Sequence, residues 1–466
     1  MLYLRNSLTN QKEEFISLNK KQVRIYTCGP TVYDFAHIGN LRSYLLADIL
    51  QRTLKFNGYN VLWAMNITDV DDKTIKKALA AAPDQKPKGA LAALTEKYTQ
   101  TFWADLEKLN IVRPDRTPTA TGTIGAMREL IGSILAADYA YIKDGSVYFN
   151  VRKYARKFKY GQLTKIDLKK MKIGTRIDLD EYDKESAQDF ALWKAAKPNE
   201  PFWELGLGGQ KLPGHPGWHI ECSAMSKKYL GVPFDIHTGG VDLKFPHHEN
   251  EIAQSAIGYH AAKLANFFLH NEHILVNGQR MAKRFHNFFT LNDLIKKGYN
   301  PLSFRYLVLQ NHYSSLLNFT WESLTAAQAA LDKIYTLTRD LATAKTEEAS
   351  KEYGVNQQEF QTFINDDLDT PRALALLREI LGRSLEPETK KGLIFEFDRV
   401  LGLGLGQVKE INIPTAITRL AEQRQQAREQ KNWSQADKLR KEIKRQGYLI
   451  EDTRDGFKIK NKEKLQ

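Results

Sequence analysis

The chain has 466 residues, more than one hydrophobic core usually organises, so roughly two to four domains are expected. Hydrophobic residues at 42% and charged residues at 26% exclude a disordered chain, and without a run of about 18 apolar residues or a basic-then-apolar leader a cytoplasmic protein with no membrane attachment is expected. Lys and Arg total 68 against 55 Asp and Glu, a net +13 that fits a polyanionic partner such as nucleic acid as well as a general solubility charge.

The run Val23-Arg24-Ile25-Tyr26 reads as a short buried strand, and Leu41 to Leu50 has the spacing of an amphipathic helix. Between them lies TCGPTVYDFAHIGN, residues 27–40, with Cys28, His37 and an Asn beside Gly39. A strand feeding a Gly-marked turn that opens a helix suits phosphate, because unpaired N–H groups and the helix dipole both favour negative charge there. A second strand, Asn60 to Met65, completes a βαβ unit and predicts a parallel sheet. It runs into NITDVDDK, residues 66–73, where Thr68 or Asp69 would suit an N-cap.

Residues 74–139 are helical in pattern, broken at Pro83 and Pro87. From Ala140 to Trp193 the texture turns β-like, with a hairpin predicted through Asp144-Gly145, and this part reads as an inserted subdomain. Within it, residues 152–172 hold nine Lys or Arg and one Asp, Asp167, interleaved with Tyr154, Phe158 and Tyr160. That mixture fits a nucleic-acid backbone contact or a solvated loop. After PGWHIECSAM, residues 216–225, a strand at Phe234 to His237 leads into TGGVDLKFPHHENEIAQS, helical from Glu249. His247 and Glu251, four apart, share a face if the helix begins by Pro246. Long helices follow at Ala326–Leu341, Gln357–Ile364 and Pro371–Leu381, the last started by Asp369-Thr370. Residues 405–414 read as a linker, and the tail as a charged helical pair followed by a hairpin at Asp455-Gly456.

The two cysteines, Cys28 and Cys222, fit a metal or catalytic role better than a disulfide in a cytosolic chain. With His247 and Glu251 they offer two thiolates, an imidazole and a carboxylate, a chemically sound zinc shell. Spacing alone, without a Cys-x-x-Cys pair, favours two buried structural cysteines instead.

Read together, the motifs shift that balance. PTVYDFAHIGN resembles the HIGH motif of class I aminoacyl-tRNA synthetases. NITDVDDK, GWHIECSAM and GG-x-DL-x-FPHHENEIAQS resemble segments of the cysteinyl-tRNA synthetase family, and the similarity runs nearly end to end, through DDLDTP to the closing QAREQKNWSQADKLRKEI and GYLIEDT. The resemblance implies an α/β Rossmann-type catalytic domain with an inserted subdomain, followed by a helical bundle and a small C-terminal α+β anticodon-binding domain. The implied boundaries are 1–120 and 213–270 for the two catalytic halves and 121–212 for the acceptor-end insert. A connecting domain with a KMSKS-like loop takes 271–325, the bundle 326–404 and the anticodon domain 405–466.

The implied activity joins L-cysteine to ATP as cysteinyl-adenylate, releases pyrophosphate and moves cysteine to the 3′ end of tRNA(Cys). Cys28, Cys222, His247 and Glu251 match the family's zinc ligands, one Zn2+ per chain, with Mg2+ accompanying ATP. A zinc bound by two thiolates is soft enough to prefer a third over a hydroxyl, a distinction that pocket shape makes poorly. Thr68, Trp218 and His237 match the cysteine pocket. Pro30, His37, Gly39, Asn40, Arg280, Met281 and Lys283 match the ATP site, with His37, Asn40 and Lys283 in catalytic positions. Arg428, Trp433, Asp437 and Asp452 match positions that read the GCA anticodon, and their types suit stacking and base-edge hydrogen bonds. A monomer is implied.

Some residues depart from the family pattern. Ala282 and Arg284 replace both serines of KMSKS, Phe285-His286 replaces Leu-Gly, Asn40 replaces the last His of HIGH, and His215 stands where an arginine is common. The rival readings are a cysteine ligase of the mycothiol type, which lacks the anticodon-reading tail, and a non-catalytic tRNA-binding paralogue, for which only the altered loop argues.

Overall fold

The computed structural model describes residues 1–164, 189–207, 209–281, 285, 287–346, 348, 350–408, 414–453 and 456–461. A hairpin of β1 (Tyr3–Asn6) and β2 (Gln11–Glu14) precedes β3 (Val23–Thr27), α1 (Ile38–Phe56) and β4 (Val61–Met65). Three helices follow, α2 (Asp72–Ala81), α3 (Pro87–Lys108) and α4 (Ile124–Ala136). Next come β5 (Ala140–Lys143), β6 (Ser146–Phe149), the short α5 (Val151–Ala155), β7 (Phe190–Ala195), β8 (Trp203–Leu207) and β9 (Gln210–Pro216). The α/β rhythm then resumes with α6 (Trp218–Leu230), β10 (Phe234–Gly240), α7 (Glu249–Gly258) and β11 (Ala265–Asn271).

Strands β11, β10, β3 and β4, in that order, form a parallel sheet. Its central pair joins β3 to β10, with Ile25 opposite Ile236, across the whole inserted segment. Strand β3 (Val23, Ile25 and Tyr26 buried) and β10 (every residue buried) are covered on both faces, as parallel strands require. The insert contributes a separate antiparallel sheet, β5-β6-β7-β9-β8, whose first hairpin turns at Asp144-Gly145, both with positive φ. Lys194 of β7 pairs with Asp72 at the start of α2, fastening the insert to the parallel-sheet unit.

Beyond the sheet lie β12 (Ile274–Val276), β13 (Gln279–Arg280), α8 (Leu291–Lys296), α9 (Pro301–Leu309) and β14 (Leu317–Phe319). The bundle comprises α10 (Trp321–Arg339), α11 (Lys351–Asn365), α12 (Thr370–Gly382) and α13 (Pro387–Leu401). The tail is α14 (Thr415–Glu429), α15 (Trp433–Arg445) and the hairpin β15 (Tyr448–Thr453) with β16 (Gly456–Asn461), gathered around Ile417, Ala421, Ile443, Ile450 and Ile459. Residues 409–413 of the expected linker and Asp455 of the expected turn lie outside the described residues. Among the described residues no helix is long and apolar enough to cross a membrane.

Some local expectations are corrected. Helix α2 is capped by Asp71, whose carboxylate accepts from Thr74 N at 2.7 Å, and not by Thr68 or Asp69. Those two are drawn to distant partners: Thr68 Oγ1 donates to Glu221 at 2.6 Å, and Asp69 accepts from the backbone of Thr121 at 2.9 Å. Helix α13, which the sequence reading passed over, begins with Pro387 at its first turn and ends at Gly402 in the left-handed region. A Cβ on Gly402 would sit 2.4 Å from the Arg305 guanidinium, so this stop leaves room only for glycine.

Two buried arginines tie these units together. Arg42 of α1 is 1% exposed and donates to the carbonyl oxygens of Glu272, His273, His312, Tyr313 and Ser315 at 2.6–3.2 Å. Burial lowers its pKa only to about 10, so it remains a cation at neutral pH. Arg305 of α9 is fully buried, pairs with the equally buried Asp48 of α1 at 2.7 Å and donates to Leu401 O at 2.6 Å and Leu109 O at 3.0 Å. Without Arg305, Asp48 keeps Arg52, whose Nε lies 2.8 Å away, but the buried carbonyls of Leu401 and Leu109 lose their donor. Arg305→Leu is therefore expected to destabilise the fold by about 1–3 kcal/mol in chemical denaturation.

Candidate active site and metal centre

A cleft of about 540 Å³ opens at the carboxyl ends of β3, β10 and β11, lined among others by Cys28, Gly240 and Asn271. Open parallel sheets place ligands at these ends. Thr27 closes β3 by bonding Thr238 Oγ1 at 2.8 Å and receiving Trp63 Nε1 at 2.9 Å, which aligns the ends of β3, β10 and β4. The turn then runs tightly along the segment after β4. Gly29 N donates to Asn66 Oδ1 at 2.8 Å, and a Cβ on Gly29 would lie 1.6 Å from Asn66 O. Pro30 lines the cleft, and its carbonyl accepts from Thr68 N at 3.0 Å.

His37 and Asn40 cap α1 reciprocally. His37 Nδ1 accepts from Asn40 N, and Asn40 Oδ1 accepts from His37 N, each at 3.2 Å. A neutral His37 therefore carries its proton on Nε2, as a donor. Gly39 leaves no room for a side chain, since a Cβ would come within 2.9 Å of the His37 ring. His37, Gly39, Asn40, Arg280 and Met281 all line the cleft.

Residues 280–290 are fastened at both ends. Arg280 lies in β13, paired through Leu275 to β12, and β12 pairs in parallel with β14. At the far end Ile38 N donates to Phe289 O at 2.9 Å, and Phe288 meets the His37 ring edge-on at 5.0 Å. Asn287 Nδ2 spans the loop to Arg280 O at 3.0 Å. Lys283, with Ala282 and Arg284, lies outside the described residues.

The four candidate metal ligands converge although 223 positions separate the first from the last. Cys28 follows β3, Cys222 lies in α6, His247 precedes α7 in a kinked segment, Lys244–His248, whose Phe245 is extended, and Glu251 lies in the first turn of α7. All four are buried, and their ligand atoms lie within 4.8 Å of one another. The two sulfurs are 3.8 Å apart, near the roughly 3.8 Å that Zn–S bonds of about 2.3 Å span across a tetrahedral angle. His247 Nε2 lies 3.1 Å from Glu251 Oε1 and makes no hydrogen bond, while its Nδ1 is 3.0 Å from His219 Nδ1. Burial drives the pKa of both His247 and His219 down to about 3, so the imidazoles are neutral, as metal ligands must be. Burial, and then each sulfur's neighbour, pushes the Cys28 thiol well up, and burial raises Cys222 too, so the protons stay until a cation displaces them. The donor set fits a thiophilic divalent ion of zinc's type.

A second, overlapping set joins Cys28 and Glu251 to His237 and His248. His248, which the sequence reading did not single out, places Nε2 3.3 Å from Cys28 Sγ, and its Nδ1 lies 2.8 Å from His270. Only its adjacency to His247 could have signalled it. His237, expected in the amino-acid pocket, is fully buried with Nε2 3.0 Å from Glu251 Oε2. Trp218 lines the cleft with its ring 4.2 Å from that of His247. Thr68 is buried, held by Asn66 and Glu221.

In the tail, Trp433 is 59% exposed at the start of α15, and Asp437 is exposed one turn later. Asp452 accepts from Arg424 at 2.6 and 3.1 Å and pairs with Arg428, which together hold its pKa below the usual carboxylate range. Arg424, 3% exposed, is the orienting partner that the sequence reading missed. In the basic stretch, Tyr154 and Tyr160 turn inward, 2% and 9% exposed, and Tyr160 Oη donates to Asn250 at 2.6 Å. As a backbone-contacting surface its aromatic half is thus reduced to Phe158; residues 165–172 lie outside the described residues.

Residues 14–329 match the family described as tRNA synthetases class I (C) catalytic domain, and residues 412–458 match the cysteinyl-tRNA ligase anticodon binding domain. A cysteine–tRNA ligase of Leptospira interrogans is 39% identical over 98% of both chains. One of Chlamydia muridarum is 41% identical over 98% of this chain and 99% of its own. Among solved structures, Mycobacterium tuberculosis methionyl-tRNA synthetase with methionyl-adenylate aligns with a TM-score of 0.58 at 13% identity, covering 83% of this chain and 93% of its own. An Agrobacterium radiobacter leucyl enzyme in a ternary complex with tRNA aligns at 0.59 and 11% identity, covering 84% of each. At such identities these two show the fold alone.

Zinc added to metal-stripped protein should bind at one ion per chain, and Cys222→Ser should weaken it by more than about 100-fold in chelator competition. Because uptake displaces thiol protons, the apparent affinity should rise steadily from about pH 6 to about pH 8.

Proposed function

The chain belongs to the cysteine–tRNA ligase family of class I aminoacyl-tRNA synthetases, and we propose that it charges tRNA(Cys) with L-cysteine in two steps at the cleft described above. It is an aminoacyl-tRNA ligase. The observation that carries the substrate assignment is the meeting of two buried thiols, an imidazole and a carboxylate beside a nucleotide-ready helix start, with Cys28 and His37 in one turn.

In the first step the cysteine carboxylate attacks the α-phosphorus of Mg2+-bound ATP in line, and pyrophosphate leaves. His37 Nε2–H and the opening of α1 supply donors to the phosphates, with Arg280 and Lys283 supplying cations as charge develops. Asn40 serves by holding His37 in the donor tautomer. Gly39 leaves the nucleotide close access to the backbone, and Pro30 and Met281 line the cleft. Zinc held by Cys28, Cys222, His247 and Glu251 would select a thiolate over a hydroxyl, giving cysteine preference over serine. Trp218 covers that centre on the cleft side, while His237 and Thr68 fix Glu251 and Glu221 behind it. In the second step a terminal ribose hydroxyl of the tRNA attacks the activated carbonyl, and AMP leaves. Arg428, Trp433, Asp437 and Asp452 would read the anticodon, with Trp433 offering an open stacking face. The work of both steps is expected in the cytoplasm, by a monomer.

Cysteine-dependent exchange of pyrophosphate into ATP tests the first step, and Lys283→Ala should lower it by about 100-fold or more. Unchanged exchange in that variant would overturn the assignment of the loop. Charging of a tRNA with the GCA anticodon tests the second step, and Trp433→Ala should weaken tRNA binding by about tenfold while sparing exchange without tRNA.

A further inference from the structure

Phe35 is 43% exposed within the polar turn that carries Cys28 and His37, and it lines the same cleft. A large apolar ring left open there serves no core, whereas Val32 and Ile38 on either side are buried. Tyr98 of α3 meets it in a T-shaped contact at 5.0 Å and 75°, which fixes the ring's orientation and covers at most one of its faces. Cations crowd this pair. Lys77 Nζ lies 4.8 Å from the Tyr98 ring centre and 3.3 Å from Asp34 Oδ1, Lys97 Nζ lies 5.6 Å from the same ring, and Lys73 lines the cleft. Phe35, Lys73, Lys77, Lys97 and Tyr98 are not among the residues assigned to ATP or cysteine, although Phe35 and Lys73 lie in the segments that carry them. An open aromatic face bordered by ammonium groups is the arrangement that holds single-stranded nucleic acid, the ring stacking a base and the cations facing phosphodiesters.

We propose that Phe35, braced by Tyr98, is a positioning residue that stacks the unpaired 3′-terminal base of the tRNA, with Lys77 and Lys97 facing the phosphates that lead into the cleft. The proposal rests on the ligase reading above. An adenine of ATP offers the same stacking chemistry. The run of lysines along α2 and α3, separate from the α1 start and the 280–290 loop that serve the triphosphate, favours a strand carrying several phosphates. The role is orientation: the terminal ribose hydroxyl attacks the carbonyl carbon, the bond from that carbon to the AMP phosphate oxygen breaks, and the base must be held while this happens.

The test uses the full chain with Phe35→Ala and Phe35→Trp. Pyrophosphate exchange without tRNA reads the first step, and single-turnover transfer to a transcript with the GCA anticodon reads the second. Loss of one stacked base is of order tenfold. In Phe35→Ala, transfer should fall about tenfold relative to exchange, and Phe35→Trp should restore it. The affinity lost for intact transcript should vanish when the 3′-terminal adenosine has been trimmed away. Parallel loss of exchange and transfer would assign the ring to the adenine of ATP, and equal loss for intact and trimmed transcript would place the contact elsewhere. Either result, or no loss at all, overturns the proposal. Absence of cysteine-dependent exchange in the unaltered protein would instead remove the ligase reading, and the platform with it.

Discussion

The buried guanidinium of Arg42 is the constraint on which the nucleotide end of the cleft depends. It stands on α1 five residues beyond His37, and its five carbonyl partners come from two stretches that are far apart in sequence, 272–273 and 312–315. Hydrogen bonds from a charged donor contribute about 1.5–3 kcal/mol each when made, and a cation without them would not stay in so dry a place. Lysine, a point charge with three donors, does not offer the planar fork that serves several carbonyls at once. The first turn of α1 and the approach to β12 are thereby one piece. Since β12 carries β13, and β13 carries Arg280, the two parts of the cleft wall proposed to face phosphate share a single mount.

The second mount is the Asp48–Arg305 pair, which fastens the bundle helix α13 and the end of α3 to the same α1. One helix thus receives the cleft-lining turn at its start, residues 272–273 and 312–315 in its second turn and the bundle near its middle. That economy explains why α1 is buried on most of its surface, Asp48 and Gln51 included, although its sequence has a polar side.

Much of this was legible in the sequence where the signal was local or carried by a distinctive motif. The β3–turn–α1 unit, the Asp144-Gly145 hairpin and the Asp369 start of α12 follow from periodicity and turn chemistry. Cys28, Cys222, His247 and Glu251 were legible only through family resemblance, because no spacing rule joins residues brought together by a sheet crossover. The features that escaped are tertiary. Thr68 and Asp69 look like caps until Glu221 and Thr121 claim them. His248 and Arg424 gain meaning from Cys28 and Asp452, and no pattern within a helix announces such partners. Tyr154 and Tyr160 lie in a basic run that reads as surface, yet packing against Phe149 and Asn250 takes them inside.

The pairing of β3 with β10 has a consequence for the protein's birth. Cys28 leaves the ribosome 223 residues ahead of Glu251, which at about 5–20 residues per second is roughly 10–45 s of synthesis. Until β10 emerges, β3 has β4 on one side but presents an unpaired edge on the other, and Cys28 waits for Cys222, His247 and Glu251. A newborn chain therefore carries Cys28, one of four candidate metal ligands, open to oxidation and to the wrong metal until the others arrive. The antiparallel insert emerges in between, so the strands of its own sheet can pair before β10 reaches β3.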